Sequence, residues 1–433
     1  MWEISRDSPM LKYRQLRGNR NGSVLTMTTQ MKTACLVMVA GVLFFGCAHE
    51  ATRESDLHSR AVMLAKKYGI VDTHIDLPYR LYEKPVDISI RSSEGDCDLV
   101  RAEEGGLLVP FMSIYTSSEL EGTGRSKPLA DTLIDIVEGI ARKWPDRCRI
   151  VTSVADVMRY RQSGKILLAL GLENGSPLEG NLDNIRYFYD RGVRYITLAH
   201  AKWNHLCDAA YDTVRHWNGL SPMGREAVKE MNRLGMMVDV SHLTDSAFYQ
   251  IIRLSRAPVI ASHSSCRHYT PGFERNISDD MIRVLGATGG VVQIAVGSYF
   301  ITADFNRWGV EYDRVMDEFR QKNNLQSDDS VAVAFARQYR KDHPRPRVTV
   351  ADVADHIDHA VHLAGTDHVG IGSDFEGVGN LPDGLKDVSE FPNLLEELLK
   401  RGYTDEMIGK LCSGNILRVW AAVERVAEEK GPQ

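Results

Sequence analysis

His74 and Asp76 stand two residues apart in Gly69-Ile-Val-Asp-Thr-His-Ile-Asp76, and other acids and imidazoles close further apolar runs. Glu173 ends Ile166-Leu-Leu-Ala-Leu-Gly-Leu-Glu173, His200 ends Val193-Arg-Tyr-Ile-Thr-Leu-Ala-His200, and His242 ends Met236-Met-Val-Asp-Val-Ser-His242. His263 follows Pro258-Val-Ile-Ala-Ser262, and Asp374 follows Val369-Gly-Ile-Gly-Ser373. Strand side chains alternate with period two, so an H-x-D pair points both groups to one face. Neutral imidazole and carboxylate both ligate Zn²⁺. A carboxylate closing an apolar run is seldom buried unless paired or metal-bound. His242 or His263 alone reads more readily as a hydrogen-bonded core histidine. Their place on consecutive run ends, with His74, Asp76 and Glu173 on others, makes coincidence a poor account. Five such ligands exceed one tetrahedral ion and suit two ions sharing a bridging carboxylate. The chemistry expected is that of a metal-dependent hydrolase.

Each of these residues sits at the C-terminal end of a short apolar run, the pattern of a buried strand. The runs number about eight, over 70–74, 109–115, 165–172, 193–199, 236–241, 258–262, 290–296 and 369–373. Helical periodicity falls between them, at Leu129–Trp144, Asn181–Arg191, Pro222–Leu234, Ser246–Arg253 and Ser278–Leu285, and a helix over His58–Tyr68 leads in. Strand–helix alternation means a parallel sheet. Eight strands in roughly 300 residues favour a closed α/β barrel of the TIM-like (β/α)8 type, whose active sites gather at the strands' C-terminal ends. A long insertion over 298–350, with a charged helical stretch Glu311–Lys322 and a proline turn at 343–346, separates the last two strands. The tail over 388–427 reads as two or three helices packed outside the barrel. His356, His359 and His362 are spaced like helical metal ligands, but they precede the last strand and read as a solvated helix face.

The chain has 433 residues, 43% hydrophobic and 25% charged, with a net charge of −6. No basic surplus marks it for nucleic acid. Residues 1–30 lack apolar periodicity and read as a mis-called extension ahead of Met31. Residues 31–46 pair a basic start, Met31-Lys32, with a short apolar run, the form of a signal peptide rather than a membrane span. Gly46-Cys47 resembles a bacterial lipoprotein acceptor, although Phe44 stands where Leu is usual. A plain secretory signal cut near Ala48 is the alternative. Removing 1–46 leaves 46 Lys+Arg against 56 Asp+Glu, a net charge of −10. So acidic a chain has no charge attraction to anionic lipid, and anchoring falls to a lipid on Cys47, followed by a polar tether over 47–57. The expected location is the envelope of a bacterium, on the periplasmic or surface face. Cys97, Cys148, Cys207, Cys266 and Cys412 are scattered without a CxxC pair, and no disulfide is assigned. The single catalytic barrel is expected over 58–427; whether it forms a homodimer stays open.

The segments Asp72-Thr-His-Ile-Asp-Leu-Pro78, Gly171-Leu-Glu-Asn174, Asp239-Val-Ser-His242, Ala261-Ser-His-Ser-Ser265 and Gly370-Ile-Gly-Ser-Asp-Phe-Glu-Gly377 resemble those of the membrane dipeptidase (renal dipeptidase) family of zinc peptidases, as does Asn415-Ile-Leu-Arg-Val-Trp420. The resemblance spans about 58–425. It implies a dinuclear zinc dipeptidase in which a metal-bridging hydroxide attacks the peptide bond of a dipeptide. It implies one Zn²⁺ on His74 and Asp76, a second on His242 and His263, and Glu173 as their bridge. It further implies that Asp374 is the acid/base, that His200 contacts the transition state, and that Arg275 clamps the substrate's carboxylate, with Arg267 as the alternative clamp. Asn174 departs from the family's usual Gly after the bridging Glu. Two other readings remain: an amidase acting on N-acyl amino acids or lactams through the same site, and a lipoprotein that binds peptides without turnover.

Overall fold

The computed structural model describes residues 56–429. The expected extension 1–30, the signal segment 31–46, Cys47 and the tether up to residue 55 lie outside the described residues. The lead-in helix occupies residues 56–68, so the last two tether positions are already helical. Among the described residues no helix is long and apolar enough to cross a membrane.

Among the described residues nine strands run in chain order: β1 Ile70–Ile75, β2 Leu107–Tyr115, β3 Cys148–Ile150, β4 Ile166–Glu173, β5 Val193–Thr197, β6 Met237–Asp239, β7 Ile260–Ala261, β8 Val291–Ile294 and β9 Val369–Ile371. All their pairings are parallel. The order β2-β1-β9-β8-β7-β6-β5-β4 closes through a β2–β4 pairing into an eight-stranded barrel. The short β3, which periodicity did not suggest, pairs only with the start of β4, before β4 joins β2 at Ala169. The fold is the (β/α)8 barrel.

Five of the barrel strands stop earlier than the apolar runs that announced them. The run 236–241 yields only Met237–Asp239, and 369–373 yields Val369–Ile371. Past those points the chain leaves the ladder and turns inward over the barrel mouth. His242 and Asp374 adopt φ of 68° and 66° there, a left-handed conformation costly for non-glycine residues and typical of functional turns.

The helices are set by ordinary end signals. Ser221 accepts from Gly224 N–H ahead of Pro222, and Gly235 closes the same helix, Pro222–Leu234, at φ 78°. Thr244 and Ser278 cap Asp245–Leu254 and Asp279–Ala287 in the same way. Period two then splits β4 between two cores. Leu168, Leu170 and Leu172 face the surrounding helices, whereas Leu167 and Ala169 join the interior cluster. Gly171 and Glu173 continue the interior register upward, which delivers the carboxylate to the mouth.

The interior is floored by the last helix, Asn415–Glu428. Its Trp420 is fully buried and lies 5.4 Å from the Phe111 ring, which lies 5.6 Å from Tyr195. The tail therefore does more than pack outside the barrel: its final helix closes the strands' N-terminal ends. The segment between β8 and β9 carries helices Ala303–Asn323 and Ser330–Asp342, joined by stacked Phe319 and Phe335 rings 3.8 Å apart.

The helix Val350–Ala364 corrects one expectation. His362 is exposed, but His356 is fully buried. Its Nε2 donates to Ile301 O at 2.8 Å and its Nδ1 accepts from Cys266 N–H at 2.9 Å. Periodicity could not show that this face is covered by the loop after β7.

Candidate active site

The five ligand-type side chains converge on Glu173. Its Oε2 lies 3.3 Å from His74 Nε2, which is 3.5 Å from Asp76 Oδ2. Its Oε1 lies 3.1 Å from His242 Nε2 and 3.4 Å from His263 Nε2. The two carboxylate oxygens thus face different pairs of residues. All five side chains are buried, as are Asp374 and Arg275.

The surrounding hydrogen bonds settle which way two of the imidazoles point. Tyr195 O–H donates to Thr73 O at 3.0 Å, so at 2.8 Å it accepts from His74 Nδ1–H. Ser262 Oγ–H donates to Asp239 Oδ2 at 2.6 Å, so it accepts from His263 Nδ1–H at 2.8 Å. With Nδ1 protonated, Nε2 of each ring carries its lone pair inward, as a metal ligand must. Asp239 is held in turn by Thr197 Oγ1 at 2.5 Å and by the N–H groups of Ser241 and Ser262. Asp72 plays a similar part for the last strand end, accepting from His74 N–H and from Ser373 N–H and Oγ–H.

These contacts also test whether the residues fit a cation. His242 Nε2 and His263 Nε2 sit 2.8 Å apart, and the Arg275 guanidinium lies 3.0 Å from His242 Nε2. His74 Nε2 and Asp76 Oδ1 are buried without hydrogen-bond partners. Lone pairs facing one another and orphaned polar atoms around a shared carboxylate are costly unless positive charge lies among them. Burial and then Arg275 hold His242 well below the imidazole range; burial and then His74 do so for His263. Burial also lowers His74, but Tyr195, Glu173 and Asp76 outweigh it and carry it well above that range. Burial raises Glu173, yet His74, His200 and the bonds to His242 and His263 keep it well below the carboxylate range. The site therefore keeps Glu173 ionised and favours positive charge on the His74 side. The donor set of imidazole nitrogens and carboxylate oxygens suits Zn²⁺.

Three other expected residues reach the same place. His200 Nε2 stands 3.7 Å from Glu173 Oε1; its ring packs edge-on to Tyr115 at 4.9 Å and lies 4.3 Å from that of His242. Burial depresses its pKa, which favours the neutral ring. Asp374 offers an oxygen within 4.8 Å of ligand atoms of His74 and His263. A Cβ at Gly377 would meet Asp76 Oδ2 at 2.3 Å and Asp374 Oδ1 at 2.7 Å, so that glycine lets the turn crowd both carboxylates together. Burial first, then Asp76 and Glu173, push Asp374 well above the carboxylate range against the opposing pull of His74.

Arg275 reaches the mouth and Arg267 does not. Arg275 donates to Ser264 Oγ at 3.2 Å and His263 O at 2.9 Å, while its buried Nε has no partner. Arg267 is committed to Asp245 through bonds of 2.8 and 2.6 Å. Tyr195 and Asp72 were not singled out from the sequence. Asp72 stands beside the H-x-D pair and could have been found there; Tyr195 lies 121 residues from the imidazole it holds.

Ligand-type and acid/base side chains gathered at the C-terminal ends of parallel strands are the arrangement of a barrel metallohydrolase. The model of the membrane dipeptidase family (peptidase family M19) matches residues 58–432. A protein of Schizosaccharomyces pombe described as an uncharacterized dipeptidase is 34% identical over 84% of this chain and 82% of its own length. Dipeptidase 3 of Rattus norvegicus is 31% identical over 86% and 69%. Among solved structures, the probable dipeptidase PvdM from Pseudomonas aeruginosa superposes with a TM-score of 0.75 at 28% identity, over 86% of this chain and all of that one (100%). The chain belongs to the membrane dipeptidase family, a family of metallopeptidases that hydrolyse peptide bonds.

Proposed function

We propose that this protein is a dinuclear zinc dipeptidase. The observation that carries the reading is the division of Glu173, whose Oε2 faces His74 and Asp76 while Oε1 faces His242 and His263. One Zn²⁺ on each pair, bridged by Glu173, would polarise the scissile carbonyl and lower the pKa of the attacking water toward neutrality.

The protein's own groups supply the rest. Asp374, buried within 4.8 Å of ligand atoms of His74 and His263, takes the proton of the attacking water and delivers it to the leaving amine. Neutral His200 donates to the oxyanion that forms on the carbonyl. Arg275, a buried cation with two oxygen contacts and a free Nε, binds the substrate's terminal carboxylate. That clamp restricts the site to short peptides. The location proposed with this function is the bacterial envelope, through the signal over 31–46, a lipid on Cys47 and a tether that ends where the helix at residue 56 begins, ahead of the catalytic barrel up to 427, with a homodimer as the candidate assembly.

Kinetics on a dipeptide, its C-terminal amide and its N-acetyl derivative, in wild type and Arg275→Met, test this function. Wild type should prefer the free carboxylate, and the variant should lose most of that preference. Removing one partner of a charge-assisted pair in a desolvated site costs on the order of 2–5 kcal/mol. A wild type indifferent to the carboxylate, or faster on the N-acetyl compound, would instead mark a general amidase.

A further inference from the structure

A second group of ligand-type side chains lies away from the catalytic cluster and shares no residue with it. His268 sits in the loop after β7, Asp279 opens the helix Asp279–Ala287, and His359 lies on the helix Val350–Ala364. The two helices pack against each other. One ligand atom from each of the three residues lies within 4.8 Å of the others. His359 Nε2 is 2.8 Å from Asp279 Oδ1, and the His268 and His359 rings stack at 4.2 Å. Tyr269 stands edge-on to both rings, 4.9 and 5.7 Å away, and closes one side.

We propose that His268, Asp279 and His359 form a further zinc site, separate from the catalytic pair. Two neutral imidazoles and one carboxylate are a common three-ligand set for Zn²⁺, with water completing the shell. Ligands about 2.0–2.1 Å from a tetrahedral ion stand roughly 3.3 Å apart. The His359–Asp279 contact needs to open by only a fraction of an ångström for that. His268 is exposed, and a turn of its ring out of the stack with His359 would bring a nitrogen to the ion. Binding takes the Nδ1–H tautomer of His359, whose Nε2 lone pair then faces the ion, so one carboxylate and two uncharged rings meet a dication. His356 stays out of the set, because Cys266 N–H and Ile301 O occupy both its nitrogens. Filling the site ties the loop that carries His263 and Arg275 to the two helices outside it.

The test dialyses zinc-loaded wild type, His268→Ala and His359→Ala against free Zn²⁺ and counts bound zinc by emission spectroscopy. Each variant should hold one ion fewer than wild type, with dipeptide turnover within twofold, and should show a smaller zinc-induced rise in thermal midpoint than wild type. The catalytic ions cancel in the difference, so the result stands whether that centre holds one ion or two. Equal zinc in all three proteins overturns the site and leaves a hydrogen-bonded His–Asp pair. Loss in His359→Ala but not in His268→Ala overturns the three-ligand assignment.

Discussion

Acidification should destabilise this protein through one buried histidine outside the catalytic cluster. His356 is fully enclosed, and burial pushes its pKa down to about 4 against the opposing hydrogen bond to Ile301. Protonation would also set an N–H on Nδ1 against the Cys266 N–H that it now accepts. The unfolded chain takes up this proton near the ordinary value of 6.5, before the folded one does. A depressed folded-state pKa contributes stability that is complete above about 6.5 and is lost as pH falls toward about 4. At about 1.4 kcal/mol per pH unit, the loss is about 2 kcal/mol by pH 5 and about 3 kcal/mol by pH 4. Glutamine can keep one donor and one acceptor without titrating. Urea unfolding of wild type and His356→Gln at pH 7 and pH 5 isolates the effect, because the other titrating groups cancel. Wild type should lose about 2 kcal/mol more than the variant over that interval. Parallel losses in the two proteins would refute the reasoning and place the proton elsewhere.

Asp374→Asn should keep the metal content of wild type while kcat falls about 10²–10⁴-fold, since an amide cannot carry the proton; loss of an ion in metal analysis would make Asp374 a ligand instead. Gly171→Ala puts a Cβ 2.0 Å from Tyr195 Cζ and displaces the ring that orients His74. Chelator competition should show metal affinity reduced roughly 10–100-fold, the usual effect of losing a supporting hydrogen bond, and unchanged affinity would deny Tyr195 that role. Cys47→Ser should move the protein from the membrane fraction to the soluble fraction; a wild type already soluble would favour the plain secretory signal.

Much of the site was legible because burial and chemistry conflict in one dimension. A strand covered on both faces must be apolar, so Glu173, His242, His263 and Asp374 at the ends of such runs stand out without any contact information. The same runs count the strands, and eight parallel strands leave few arrangements other than a closed barrel. Beyond that, periodicity reports which face of an element is apolar and not what covers it. His356 sits on a helix whose sequence looks solvated, and only the loop after β7 buries it. The floor formed by Trp420 and the hold of Tyr195 on His74 join residues far apart in the chain, and local pattern carries no trace of them. The sequence left Arg267 open as the alternative to Arg275; in space Asp245 holds Arg267 away from the mouth. Which oxygen of Glu173 faces which pair follows from strand tilt and register around the closed barrel. The candidate ligand types were therefore set along the chain, while the distances and orientations among them were decided only when the barrel closed.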